Sequence, residues 1–192
     1  MFLSEQKGIN MKKTIIILDH PNFANSAVNR RWAEEINKYP DEFVIHNLQS
    51  SFPRGIIDAH AEHCLIENCG GSIVFQFPLY WYNCPPMTKL WFDKVITSDW
   101  AYGSAHKLEN VKFGIAVSCG SKKEDYTEQG RHHCSVETYL NSIVHSIEFI
   151  GGDYKGLYAY YGANTQEQPN IEQIIDSAKG YVDWLRTIRT EE

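Results

Sequence analysis

Tyr126 precedes His132 in the stretch CGSKKEDYTEQGRHH, Cys119–His133. A phenol and an imidazole in one loop can donate hydrogen bonds to negative charge developing on a reacting group. The imidazole can also exchange a proton near neutral pH. A solvated lid without chemistry would carry the same two side chains, so the pair alone leaves both readings open. The loop is long for a compact domain, and long loops tend to be functional.

Two further stretches combine residue types that suit a ligand. HPNFANSAVN, His20–Asn29, ends in small polar residues where a helix begins. Free N–H groups at a helix start favour an anion such as phosphate; alternatively, Asn25 or Ser26 only caps the helix. The stretch has neither the P-loop nor the dinucleotide glycine pattern. PLYWYNCPP, Pro78–Pro86, places three aromatics in a row in a loop. Stacking on a flat ligand would explain them, and so would a subunit interface or a local core plug.

Metal chemistry has little support. His60, His63 and Cys64 lie close together, as do His132, His133 and Cys134, but neither group repeats with zinc-site spacing. The five cysteines contain no C-x-x-C pair and are an odd number, which points to reduced thiols in the cytoplasm.

The elements that must position these loops alternate. Buried strands are expected over Lys13–Asp19, Phe43–Leu48, Ser72–Phe77, Val111–Ser118 and Tyr154–Tyr161. Helices are expected over Ser26–Tyr39, Ile56–Cys69, Pro85–Thr97, Cys134–Ile150 and Gln168–Arg189. Gly70-Gly71 should end the second helix, and a proline is tolerated in the first turn of the third. Strands alternating with helices make an α/β fold: a parallel sheet covered on both faces, a three-layer sandwich of flavodoxin-like type in strand order 2-1-3-4-5. In such a sheet, ligands bind beyond the carboxyl ends of the strands. That rule picks out the loops after strands one, three and four, which are the three stretches above.

Composition narrows the function further. The chain has 192 residues and a net charge of −6, without a basic block, which argues against nucleic acid as a partner. No apolar run is long enough to span a bilayer. The start, MFLSEQKGIN, lacks the pattern of a secretory signal. Met11 opens MKKTIIIL, so residues 1–10 read as an N-terminal extension or a cloning remnant, and 11–192 as one domain.

The stretch Gln76–Gly103 carries P-L-x-W-x-x-x-P-x-x-x-K-x-W-x-D-x-V from Pro78 to Val95. It resembles the flavodoxin-like NAD(P)H dehydrogenase (quinone) family. Within it, the short bacterial members are nearest, such as modulator of drug activity B and the ancillary proteins of glutathione-gated potassium efflux. Ser118-Cys119-Gly120-Ser121 stands where the family usually has T-T-G-G, and Tyr126 with His132 matches its catalytic pair. The departures are Cys119 and Ser121, in place of the second Thr and second Gly.

The resemblance implies a flavin cofactor, FMN with FAD as the second candidate, reduced by NAD(P)H. Reoxidation by a small quinone-like acceptor would follow, in ping-pong fashion, by two-electron hydride transfer. His20, Ser26, Ala27, Val28 and Asn29 would hold the flavin phosphate. Pro78, Leu79, Tyr80 and Trp81 would lie against the ring, and Ser118, Cys119, Gly120 and Ser121 along its edge. Tyr126 and His132 would be catalytic. A homodimer is expected, with Trp100 and Tyr102 as exposed aromatics in its contact. Two alternatives remain: a regulatory subunit docked on a membrane potassium channel, or a flavodoxin-type electron carrier.

Overall fold

The computed structural model of the chain describes residues 12–164 and 168–190. Residues 1–10, read above as an extension, lie outside the described residues. Five parallel strands, β1 (Lys13–Leu18), β2 (Phe43–Asn47), β3 (Gly70–Pro78), β4 (Lys112–Ser118) and β5 (Asp153–Tyr160), form one sheet in the order β2-β1-β3-β4-β5. This is the expected flavodoxin-like α/β sandwich. The helices are α1 (Val28–Ile36), α2 (Leu48–Ser51), α3 (Ala59–Cys69), α4 (Pro86–Val95), α5 (Val136–Phe149) and α6 (Ile171–Thr190).

Side chains alternate across a strand, and the apolar run of β1 therefore feeds two cores. Ile15 and Ile17 join Phe75, Phe77, Trp91, Phe113, Ile115 and Val117 on the face covered by α3, α4 and α5. Ile16 joins Val74, Ala116, Trp32 and Tyr181 on the face covered by α1 and α6. Trp32 of α1 meets Tyr181 of α6 at a centroid distance of 4.8 Å, and its Nε1 donates to Ser177 Oγ at 3.0 Å. A strand buried on both faces is mostly apolar, which is why this run carries no alternation.

Capping side chains set the helix boundaries. Asn47 Oδ1 accepts from the N–H groups of Gln49 (3.0 Å) and Ser50 (3.4 Å), so Leu48 opens α2 rather than extending β2. Asp58 accepts from the Ala61 N–H at 3.1 Å, so α3 begins at Ala59 and not at Ile56. The helix expected over Ser26–Tyr39 runs only from Val28 to Ile36, and Ser26 at its start is extended backbone. Gly70 ends α3 in the left-handed region at φ +56°, as expected of a C-terminal glycine. Gly71 is required for a different reason: a Cβ there would collide with the Lys13 carbonyl of β1.

Trp100 is not a surface residue. It stacks on His63 of α3 at 3.8 Å, and its Nε1 donates to Glu67 Oε1 at 2.9 Å. The polar partners come from a distant helix, so the local sequence gave no hint of this burial. Tyr102 is half-buried against Phe149, at 5.3 Å. The aromatics that stay exposed include Tyr80, Trp81, Tyr82 and Phe149.

Candidate functional site

The carboxyl ends of β1, β3, β4 and β5 open onto one cavity of about 570 Å³. His20, Ser26, Ala27 and Val28 line it from the β1 side, Pro78, Leu79 and Tyr80 from the β3 side, and Ser118 and Gly120 from the β4 side. Four residues expected to touch a cofactor, namely Asn29, Trp81, Cys119 and Ser121, do not line it. Each has another place in the structure.

Asn29 is buried. Its Nδ2 donates to Ser118 Oγ at 2.8 Å, and Gln76 Nε2 donates to the Asn29 carbonyl at 3.1 Å. The first turn of α1 is thereby tied to the ends of β3 and β4. Ser26 Oγ accepts from the Asn29 N–H at 3.1 Å, while the N-cap residue, Ala27, supplies no side-chain cap. Such a helix start presents N–H groups and the positive end of the helix dipole to whatever enters the cavity. His20 Nδ1 accepts from the Asn22 N–H at 3.1 Å, which leaves Nε2 to carry the proton of the neutral ring. Burial lowers the His20 pKa, against the raising influence of Asp19 and of a backbone hydrogen bond.

Asp19, beneath His20, is itself buried and accepts three hydrogen bonds: from the Thr88 N–H (2.7 Å), Thr88 Oγ1 (3.0 Å) and Gln49 Nε2 (2.8 Å). This carboxylate draws the start of α4 onto the end of β1 and so shapes the loop between β3 and α4. Within that loop, Tyr80 and Asn83 exchange backbone hydrogen bonds at 2.8 and 3.1 Å. Trp81 (φ 49°) and Tyr82 (φ 62°) occupy the turn between them, both in the left-handed region. A two-residue hairpin turn with both φ values positive matches the strand twist but normally selects glycine or asparagine. Two aromatics there hold backbone strain. Tyr82 is pinned against Tyr139 (4.8 Å) and the edge of His132 (5.5 Å), whereas Trp81 is 86% exposed.

Tyr126 and His132 come together as a stacked pair, with centroids 4.4 Å apart and planes at 27°. Tyr126 is only 7% exposed, and neither ring lines the cavity. Burial raises the Tyr126 pKa and the Cys119 sulfur adds to the rise, while the Ser121 hydroxyl lowers it. His132 Nε2 lies 2.8 Å from Ser121 Oγ. The carbonyl of Ser121 accepts from the Gly162 N–H at 2.8 Å, and Gly162 does line the cavity. Ser121 thus stands between the cavity and the pair. Cys119 is fully buried, and its thiol is pushed up to about 12 by burial, then by Glu137, with Tyr126 opposing.

The loop after β5 supplies Gly162, Ala163 and Asn164 to the cavity, with Tyr160 at the strand end. The reading of the sequence passed over it, although the carboxyl-end rule applies to β5 as it does to the other strands. A Cβ at Gly120 or Gly162 would meet nothing within 4 Å, so both glycines leave open space for a bound group. The donor set, a helix start at one end and the apolar Pro78-Leu79 wall beside it, fits a planar group bearing a phosphate. Among the described residues, no group of His, Cys, Asp and Glu could hold a metal ion.

Comparison with known proteins agrees with the fold. A family model described as a flavodoxin-like fold matches residues 12–183. General stress protein 14 of Bacillus subtilis is 37% identical over 175 residues, covering 91% of this chain and 97% of that protein. The B. subtilis protein named uncharacterized NAD(P)H oxidoreductase YrkL is 32% identical, covering 91% and 98%. Among solved structures, general stress protein 14 of Treponema denticola in complex with FMN is 37% identical with a TM-score of 0.86, covering 92% of this chain and 99% of that one.

Proposed function

Since the chain belongs to the Flavodoxin_2 family of flavodoxin-like fold, we propose that it is an FMN-dependent NAD(P)H oxidoreductase that reduces quinones or related small acceptors by two electrons. The observation that carries this reading is one juxtaposition. A cavity with the N-terminal end of α1 on one side reaches, through Ser121 and Gly162, a stacked Tyr126–His132 pair on the other. The relative solved with FMN and the relative named an NAD(P)H oxidoreductase support the choice of cofactor and donor.

When bound, the flavin supplies the hydride chemistry. The protein's own residues bind, orient and shield. The N–H groups at the start of α1, with Ser26, hold the phosphate by the favourable end of the helix dipole. Pro78 and Leu79 would exclude water from one wall, which strengthens the polar contacts inside. The backbone at Gly120 would offer its N–H where no side chain intrudes, while the Cys119 and Gly162 N–H groups are committed to the Tyr160 and Ser121 carbonyls. Tyr126 and His132 donate hydrogen bonds, and His132 a proton, to charge that develops on the acceptor.

The reading includes a cytoplasmic protein, and among the described residues no helix is long and apolar enough to cross a membrane. It also includes a homodimer, whose contact now falls to the exposed Trp81 and Phe149 rather than to Trp100. Titration of the protein into FMN, followed by flavin fluorescence, tests the cofactor directly. Saturable one-to-one binding is expected, and fluorescence that never saturates would overturn the reading.

A further inference from the structure

We infer that Ser121 is a positioning residue for His132: its hydroxyl fixes the rotation of the imidazole against Tyr126. The inference rests on the reductase reading and deepens it, since it assigns the group that orients the proposed proton donor.

The argument starts from distance. His132 Nε2 and Ser121 Oγ are 2.8 Å apart. Among the described residues, no other side chain is hydrogen-bonded to that ring. The remaining contacts of His132 fix its backbone or touch its faces. Its N–H donates to the Asp125 carbonyl at 2.9 Å, and the Tyr139 hydroxyl donates to its carbonyl at 2.6 Å. Tyr126 stacks on the ring, and Tyr82 meets it edge-on. Stacking sets the plane of an imidazole but not its rotation within that plane, and a directional hydrogen bond fixes that rotation.

A serine hydroxyl can donate to or accept from an imidazole nitrogen, so this contact holds the ring in either tautomer. Ser121 is in turn immobilised through its own carbonyl, which accepts from the Gly162 N–H at 2.8 Å. A glycine at position 121 would keep that backbone bond and lose the grip on the ring.

The test uses Ser121→Ala, Ser121→Gly and Ser121→Thr in the flavin-loaded protein. Long-range ¹⁵N–¹H correlation spectra of His132 report the hydrogen bonding of its ring. We expect the wild type and Ser121→Thr to share one ring ¹⁵N pattern, and Ser121→Ala and Ser121→Gly to depart from it. Turnover with menadione, measured at full flavin occupancy, should fall roughly 10- to 100-fold in Ser121→Ala, the scale of a displaced catalytic group. It should recover in Ser121→Thr. In a His132→Gln background, Ser121→Ala should cause no further loss. An unchanged His132 spectrum in Ser121→Ala, or an equal loss with and without His132, overturns the role of Ser121. A wild type that binds FMN but fails to reduce menadione overturns instead the reading on which it rests.

Discussion

Asn29 Nδ2 donates to Ser118 Oγ at 2.8 Å, with both side chains buried, and this bond joins the first turn of α1 to the end of β4. The two elements that border the cavity on its polar side are therefore held in register by a side-chain contact within the sheet's α1 face. Asn29→Ala should lower stability by about 1–3 kcal/mol, the cost of leaving a buried partner unsatisfied. FMN affinity should weaken with it. Thermal unfolding and a flavin titration of the same variant check both effects, and a variant matching the wild type in both would contradict the coupling.

The strained aromatic turn predicts opposite signs for adjacent residues. Trp81 is exposed and in the left-handed region, so Trp81→Gly relieves strain while losing little packing. It should stabilise the flavin-free protein by about 1 kcal/mol. Tyr82 has the same backbone conformation but packs on Tyr139 and His132, so Tyr82→Gly should destabilise. Denaturant unfolding of the two variants decides. Two changes of the same sign would show that strain and packing are misassigned here.

How far the sequence could be read depends on whether the cause was local. β1 was legible because a strand buried on both faces is mostly apolar, and Ile15–Leu18 is an unbroken buried apolar run. The positions of Tyr126 and His132 in one loop were legible, but their separation from the cavity by Ser121 was not, since it depends on how the loop folds back. Asn29 shows the same limit: its spacing suits a phosphate loop, yet its side chain turns into the sheet to meet Ser118. Trp100 read as exposed because its partners, His63 and Glu67, sit on a helix far away in sequence.

Glu62 is buried at 2% exposure and takes the Trp91 Nε1–H at 2.6 Å. His46 Nε2 lies 2.9 Å from its other oxygen. Removing the carboxylate strands the buried Trp91 N–H, so Glu62→Ala should cost about 1–3 kcal/mol. Unfolding monitored by tryptophan fluorescence measures it. A cost below about 1 kcal/mol would mean that the surroundings of Trp91 rearrange to satisfy its N–H.

Acid should weaken the α6–β2 contact. The Glu42 carboxylate is held below its ordinary 4.5, chiefly by its hydrogen bond to Arg186, against burial and with further help from the charges of Arg186 and Arg189. A depressed folded-state pKa contributes stability that is complete above pH 4.5. That contribution is lost as the pH falls below 4.5 and through the folded value. Glu42→Gln should therefore be less stable than the wild type at pH 7, and the gap should close at low pH. Urea unfolding across this range gives the comparison, and a gap independent of pH would reject the assignment.

Thiol reactivity should follow burial. Cys119 and Cys84 are pushed up to about 12 and about 11, in both cases mainly by burial, whereas Cys64 is exposed. Alkylation of the folded protein at neutral pH should modify Cys64 first and leave Cys119 intact. Peptide mass spectrometry reads the order, and early loss of Cys119 would show that the loop after β4 opens.

The most direct measurement of the central claim is the visible spectrum of the FMN-loaded protein under anaerobic conditions, first with NADPH or NADH and then with menadione. Bleaching of the flavin bands in one two-electron step, followed by their full return on adding the quinone, is the predicted result. A protein that binds no flavin, or whose bound flavin stays oxidised with either nicotinamide, would contradict the account.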